Sequence, residues 1–488
     1  MQSDEQGGRE RHWQIARRAM VERGFEPDFP AGAVNEAARA SPPAATGRDG
    51  IDDLRHLPWA SIDNDDSRDL DQLTVAEPLE RGRVRVLVAV ADVDAAVHAG
   101  SAADGHARLN TTSVYTPAVI FPMLPERFST DLTSLVQGDD RLAIVVSITV
   151  TADGAVVEAS LARAMVRNQA KLAYNGVAAW LDERGAIPAA VAEVPGLEDQ
   201  IRLQDRVAAT LRGQRHRHGA MQFHGTGATP VFDGDRLADL LPDDRNRAKD
   251  LIEDFMIAAN TATASFLESR GLPSLRRVLK APARWDRIVA LAAGVGERLP
   301  AAPDATALQG MLARRERADP EHFPDLSLSV IKLLGSGEYA VDRPGQPAGG
   351  HFGLAARDYA HSTAPNRRYP DLIMQRLLKA ALADRDSTYT GAELEEIARH
   401  CTEREDEANK VERLVRKSAA AMLLQARTGD WFNGVVTGAS EKGTWVRIFH
   451  PSAEGRLERG FRGLDVGDKV RVRLDSVDIG RGFIDFVR

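Results

Sequence analysis

The first third of the chain alternates apolar and polar positions with the two-residue period of a strand. RVRVLVAVADV, and then VVSITVTADG with a turn at Asp153–Gly154, predict half-buried β-strands. Further on the apolar spacing lengthens to the helical period. RNRAKDLIEDFMIAANTATASFLESRG, ending at Gly271, and DLIMQRLLKAALADR each predict one helix. GAELEEIARHCTEREDEANKVERLVRKSAAAMLLQAR predicts a long helix or two joined ones. Strands followed by helices, with no clean internal break, imply an α+β body over residues 47–428.

Both ends depart from that body. RHWQIARRAMVERGFEPDFPAGAVNEAARA predicts two short helices with a turn at Gly24–Pro30, and Trp13, Ile15, Ala16, Met20, Val34 and Ala37 at the apolar positions. Two forms remain open, a helix-turn-helix module or a helical cap packed on the body. ARASPPAATGRDG then reads as a linker, so residues 1–46 stand as an N-terminal module. Over residues 429–488, WFNGVVTGAS, GTWVRIFHP, AEGRLERG, KVRVRLDSVD and GFIDFVR are short segments punctuated by Gly and Asp. They predict a five-stranded Greek-key barrel of the OB type. Such barrels bind single-stranded nucleic acid by stacking bases on aromatics beside cations. Trp431, Phe432, Trp445, Phe449 and His450 are candidates for stacking, and Lys442, Arg447, Arg471 and Arg473 for charge.

Composition narrows the class. The 488 residues are 43% hydrophobic and 27% charged, as expected for a soluble globular chain of two or three domains. The single cysteine, Cys401, excludes an intrachain disulfide framework and a cysteine zinc cage, and fits a reducing, cytoplasmic setting. MQSDEQGGRERHW does not read as a signal peptide, and no apolar run is long enough to span a bilayer, so no membrane partner is expected. A net charge of −8 argues against coating DNA or membrane by bulk charge. Local cationic patches remain: RGQRHRH at 212–218, SLRRVLKAPARWDR from Ser274, and NRRYPDLIMQR from Asn366. Each is also what a solvated surface looks like.

SIDNDDSRDLDQ, residues 61–72, gathers Asp63, Asp65, Asp66, Asp69 and Asp71 beside a strand. A calcium loop counted from Asp63 requires Gly at its sixth position and Glu at its twelfth. Arg68 and Thr74 stand there, so that reading fails. Two readings stay open, a solvated acidic turn and a magnesium site. For the second, Asp69 and Asp71 point to one side of an extended segment, a loop folds Asp63 back, and Asp65 and Asp66 face solvent. Such an ion suits phosphoryl chemistry. An arginine is then needed for the charge developing on phosphate oxygens, and Arg367, just before the helix PDLIMQRLL, is the candidate.

SIDNDDSRDLDQL resembles the signature of the ribonuclease II (RNB) family. VAVADVDAAVHAGSAADGHARLNTTSVYTP, IFPMLPERFSTDLTSL, LRGQRHRHGAMQF, DLIEDFMIAAN and HFGLAARDYAHSTAPNRRYPDLIMQRLL follow in the family's order. The terminal barrel resembles that family's RNA-binding domain of the ribosomal-protein S-one type. The resemblance spans roughly residues 50–488. It implies an RNB-type body forming a channel, and a processive, magnesium-dependent, hydrolytic 3′-to-5′ exoribonuclease. Such an enzyme degrades single-stranded RNA to nucleoside 5′-monophosphates, here as a monomer. One or two magnesium ions are implied, and manganese can stand in for them. Asp63, Asp69 and Asp71 match the metal-holding acids, with Asp71 indispensable to hydrolysis, and Arg367 matches the arginine on the scissile phosphate. Tyr115 and Phe223 match aromatics that clamp the terminal bases. Tyr174 and Glu253 match residues that read the ribose, where a 2′-hydroxyl separates RNA from DNA. Glu412 matches one that seats the terminal nucleotide.

Two departures qualify the resemblance. The family's fourth acid is here Gln72, which carries no charge. It admits a second reading, a catalytically weak or inactive RNA-binding protein on the same fold. The family's two cold-shock-type barrels are also absent ahead of the signature, where the helical module stands instead.

Overall fold

The computed structural model describes residues 8–43, 50–223, 228–233, 236–242, 245–320, 323–346, 348–440 and 443–488. Residues 44–49 of the expected linker and Lys442 lie outside the described residues.

The body is built on a seven-stranded sheet. Its strands are β1 (Ile51–Asp53), β2 (Ala60–Asp63), β3 (Gln72–Pro78), β4 (Val84–Ala91), β7 (Asp140–Val150), β8 (Val156–Arg167) and β9 (Ala170–Ala173), in the order β1-β8-β7-β4-β3-β2-β9. A short hairpin, β5 (Val114–Tyr115) with β6 (Ile120–Phe121), lies apart from it. The central strands pair antiparallel, while β1 on β8 and β2 on β9 pair parallel at the rims. Apolar positions on β4 and β7, among them Val86, Val88, Ile144 and Val146, are buried. The helix Arg247–Ser269 crosses the sheet and its apolar face joins that core. The turn between β7 and β8 is the one read at Asp153–Gly154. Gly154 has φ +89°, and a Cβ there would collide with the carbonyl oxygen of Thr210.

Two more pairs, β10 (Ala228–Asp233) with β11 (Arg236–Pro242) and β12 (Ser274–Val278) with β13 (Glu338–Asp342), lie outside the main sheet. The long stretch left open as one helix or two is a single helix, Gly391–Leu424. Its start carries a complete capping box. Thr390 accepts from the Glu393 amide, and Glu393 accepts from the Thr390 amide at 2.7 Å. Thr390→Ala is expected to cost about 1 kcal/mol, read as a lower urea midpoint at unchanged slope.

The N-terminal helices, α1 (Gly8–Glu22) and α2 (Ala31–Arg39), are a packed cap. Helix α1 lies along the long helix, and His12 Nε2 donates to the Val415 carbonyl at 2.9 Å. Helix α2 lies on α3 (Ala102–Asn110), where the Glu36 carboxylate accepts the Ala102 and Ala103 amides at 2.8 and 2.9 Å. A carboxylate at a helix start satisfies free amides and meets the positive end of the dipole. Trp13 and Val34, expected on the buried faces, are exposed; Ala16, Ala19, Met20, Ala33 and Ala37 do the packing. Small residues let these short helices approach closely, so alanines carry the contact that the bulkier side chains were expected to make.

Strands β14 (Trp431–Ser440), β15 (Gly443–Ile448), β16 (Ala453–Arg459), β17 (Lys469–Asp478) and β18 (Phe483–Val487) close a barrel in the order β14-β15-β16-β18-β17. Its core continues into the body through Ile15, Ala420, Ala421 and Leu424. Phe432, considered for stacking, is 5% exposed and belongs to that core. No helix among the described residues is long and apolar enough to cross a membrane.

The three cationic patches are largely consumed inside the fold. Arg212 meets Asp250 and Asp254 at 3.0 and 2.8 Å, and Arg215 pairs with Asp254. Arg276, 1% exposed, pairs with Asp342, and Arg277 with Glu405. Arg376 holds Asp94 and Asp104 at 2.9 and 2.8 Å. These partners lie far away in sequence, so a local reading sees only the positive half of each pair.

Candidate active site

Three backbone arrangements bring the aspartates and Arg367 together. Asp63 ends β2, whose register with β9 sets it opposite Ala173, directly before Tyr174. The segment leading into β3 is pinned from both sides. Leu70 donates its amide to Ser134 Oγ and accepts from the Leu135 amide, both at 2.9 Å, while the Ala91 amide donates to the Asp71 carbonyl at 3.0 Å. The segment Thr111–Tyr115 runs beside the arginine loop, with the Ser113 amide donating to the Arg367 carbonyl at 2.9 Å and the Tyr369 amide to the Thr111 carbonyl at 2.8 Å.

At the centre, Asp71 is 2% exposed. One carboxylate oxygen accepts the Asn366 amide at 3.0 Å and the other accepts Arg367 Nε at 3.1 Å. Arg367 is half-exposed, and among the described residues its terminal nitrogens make no hydrogen bond. Burial pushes the Asp71 carboxyl up to about 7. Arg367 opposes that rise and the Asp69 charge adds to it. Asp69 is raised as well, first by burial. Burial alone would depress the Arg367 guanidinium, but Asp71 and its neighbours hold it above its ordinary value.

The expected aromatics divide into two groups. Tyr115 donates its hydroxyl to Asp69 at 3.3 Å, and its amide donates to Glu412 Oε1 at 3.0 Å, so Glu412 sits beneath it. Tyr174 lies close enough to Asp63 that, after burial, the Asp63 charge is the main cause raising its hydroxyl. Phe223 and Glu253 share a different recess of about 350 Å³ with Met221, Arg245 and His351. There Arg245 donates to Glu253 at 2.9 Å. A chain of rings, buried at Tyr359 and partly buried at His351 and His361, leads from that recess toward the arginine loop. His351 packs on Tyr359 and Tyr359 on His361, with centroids 5.5 and 5.7 Å apart, and His361 Nδ1 and the Tyr339 hydroxyl are 2.8 Å apart. Burial lowers His361 well below the ordinary histidine range and brings His351 to about 4, so both rings are neutral near pH 7. The sequence reading singled out none of His351, Tyr359, His361, Asn366 or Arg245. The motif HFGLAARDYAHSTAPNRRY held four of them, but nothing local distinguishes its supporting residues from the one at the centre.

Gln72 donates its side-chain amide to the Thr363 carbonyl. It therefore ties β3 to the loop that carries Arg367, and a carboxylate there would face a carbonyl oxygen instead. Gln72→Ala is expected to cost about 1 kcal/mol of stability, the net worth of one hydrogen bond, read as a lower urea midpoint. Asp65 and Asp66 are exposed, as the loop reading expected.

The acidic residues of the recess suit a hard divalent cation by their chemistry rather than by a preformed geometry. Among the described residues no three carboxylate, imidazole or thiol side chains converge into a preformed ligand set. The chemistry nonetheless fits: Asp63, Asp69 and Asp71 face one guanidinium, and two of them are raised by burial and mutual repulsion that a cation would relieve.

An acidic recess faced by an arginine, set in an α+β body with a C-terminal OB barrel, defines the RNB-type architecture. Residues 51–384 match the RNB domain, and residues 430–488 match the RNase II-type exonuclease C-terminal S1 domain. The chain belongs to the RNB family. It is 29% identical over 94% of its length to Ribonuclease R of Thermotoga maritima, and 30% identical over 89% to Ribonuclease R of Escherichia coli. It spans 68% of the first relative's length and 57% of the second's. Among solved structures, Mycoplasma genitalium RNase R in complex with ribose methylated single-stranded RNA superposes with a TM-score of 0.88 at 21% identity, covering 98% of this chain and 78% of that one. Yeast Ssd1, a pseudonuclease, superposes at 0.73 and 16% identity, covering 96% and 57%. The fold is therefore shared by active and inactive proteins, and activity has to be argued from the site.

Proposed function

We propose that the chain is a processive, divalent-metal-dependent 3′-to-5′ exoribonuclease, working as a cytoplasmic monomer on single-stranded RNA and releasing nucleoside 5′-monophosphates. The observation that carries this reading is the buried Asp71 joined to Arg367, with Asp63 and Asp69 alongside. Asp63, Asp69 and Asp71 are the residues that would hold the ion, magnesium or manganese. When bound, the metal supplies Lewis-acid polarisation of the phosphodiester and an activated water.

The chain's own residues do the rest. Arg367, anchored through Nε, offers its terminal nitrogens as a fork to the scissile phosphate. Tyr115, held by Asp69 and Glu412, presents a ring face to the last base, and Phe223, in the second recess, presents one to a base further along the strand. Tyr174, beside Asp63, and Glu253, in the second recess, each meet a ribose, which makes the 2′-hydroxyl the discriminating group. A channel too narrow for a duplex would deliver one strand to this recess.

The test uses a 5′-labelled RNA with a free 3′ tail and titrated magnesium. The expected result is direct conversion of full-length strand to a short end product and mononucleotides, with little in between. Tight RNA binding without product at any magnesium concentration would overturn the proposal in favour of the inactive RNA-binding reading that Gln72 admits. Equal rates on matched DNA would remove the ribose role of Tyr174 and Glu253.

A further inference from the structure

Helix α3 joins the N-terminal cap to the active site. Its last residue, Asn110, is 3% exposed and closes on the loop between α1 and α2. The side-chain oxygen accepts the Glu26 amide at 3.0 Å, and the side-chain nitrogen donates to the Glu26 carbonyl at 2.8 Å. One planar amide thus answers both backbone groups of one cap residue. His106, one turn earlier on α3, backs the clasp. Its Nε2 lies 3.1 Å from Asn110 Nδ2, and its ring packs on Phe29 with centroids 4.6 Å apart. The long helix grips the same loop, where Arg404 donates to the Arg23 and Gly24 carbonyls at 2.9 and 3.1 Å.

Directly after the clasp the backbone takes a conformation that a β-branched residue avoids. Thr111 is buried with φ +59° and ψ −18°, in the left-handed region. Such a conformation persists only where the surrounding structure over-determines it. Asn110 fixes the chain on the side of the cap. On the other side the Thr111 carbonyl accepts the Tyr369 amide at 2.8 Å, and the Ser113 amide donates to the Arg367 carbonyl at 2.9 Å. The segment ends at Tyr115, whose hydroxyl meets Asp69 and whose amide meets Glu412 of the long helix. A continuous path of backbone and hydrogen bonds therefore runs from Glu26 through Asn110 to Arg367 and Tyr115. A strained residue at the head of a segment that borders the reacting groups is what a positioning device requires.

We propose that Asn110 is a positioning residue for hydrolysis. By clasping Glu26 it sets the segment Thr111–Tyr115, and that segment sets Arg367 and Tyr115 against the acidic recess. The N-terminal cap thereby acts on the geometry of the reaction from outside the recess. The inference rests on the exoribonuclease reading above.

The test is single-turnover hydrolysis of a 5′-labelled RNA by the full chain, at saturating enzyme and magnesium and below the onset of melting. Asn110→Ala should lower the rate constant about tenfold, the scale of a sub-ångström misplacement of reacting groups. Asn110→Asp keeps the acceptor for the Glu26 amide and loses the donor to its carbonyl. It should fall between wild type and Asn110→Ala, and it carries the comparison alone where the alanine variant does not fold. The stability control is Asp304→Ala. Asp304 caps the helix Ala305–Ala318 by accepting the Ala307 amide at 2.9 Å, off this path, so its loss should weaken the fold and keep the wild-type rate constant. RNA affinity in EDTA should change by less than about threefold in every variant, which places the loss in the rate constant and not in binding. A wild-type rate constant in the folded Asn110 variants would overturn the proposal. An equal loss in Asp304→Ala would overturn it too, by making the effect one of general stability. If wild type itself releases no nucleotide, the exoribonuclease reading fails and the positioning role falls with it.

Discussion

Asp71→Asn is expected to abolish nucleotide release, by about a thousandfold or more, while leaving RNA affinity in EDTA within about twofold of wild type. The size reflects the several kcal/mol by which a positioned metal stabilises a phosphoryl-transfer transition state. Asparagine keeps the shape of the site and one of its two acceptors: its carbonyl oxygen can still take the Asn366 amide, while its NH2 stands where the second carboxylate oxygen met Arg367 Nε. What it removes is a charge. If hydrolysis persists near the wild-type rate, Asp71 is not a ligand and the proposed site is wrong.

The same substitution carries a stability signature with a definite sign. The folded-state carboxyl is raised from 3.8 to about 7, chiefly by burial. Below the unfolded value both states hold the proton and ionisation costs nothing. As pH rises toward 7, the unfolded chain has lost its proton while the fold keeps or strains against it, so this stabilising difference is lost through the folded pKa. In metal-free buffer, wild type should therefore fall behind Asp71→Asn by about 2 kcal/mol more at pH 8 than at pH 5. Thermal melts in EDTA at the two pH values measure this. Magnesium at pH 8 should raise the wild-type midpoint and leave that of the variant unmoved.

How much of this was legible beforehand depended on distance along the chain. The aspartate cluster was readable because Asp63, Asp69 and Asp71 lie within nine residues and one extended segment sets their side. Arg367 was readable as a type of residue before a helix; its anchoring to Asp71 was not, because 296 positions separate them. The cationic patches misled for the same reason, since Asp254, Asp342 and Asp104 answer them from elsewhere. The barrel's strands followed from alternation, whereas which wall faces solvent is decided by docking on α1 and the long helix. Gln72 is the sharpest case. As a letter it looked like a missing carboxylate. In the fold it is a strut to the Thr363 carbonyl, which gives the position a use that needs no charge.

Arg367→Lys is expected to lower the rate constant about a hundredfold or more with a much smaller change in apparent substrate affinity. Lysine keeps the positive charge next to Asp71, so the melting behaviour in EDTA between pH 5 and pH 8 should stay close to wild type. It loses the planar fork, in which one nitrogen is anchored and two remain free for phosphate oxygens. Arg367→Ala should lose both functions. Activity should fall further, and Asp71, stripped of the charge that holds its carboxyl down, should destabilise the metal-free fold more steeply as pH rises. The pair of variants thus separates two roles that one side chain combines. If lysine restores full turnover, Arg367 acts only as a counter-charge to Asp71, and the phosphate must be met by another group.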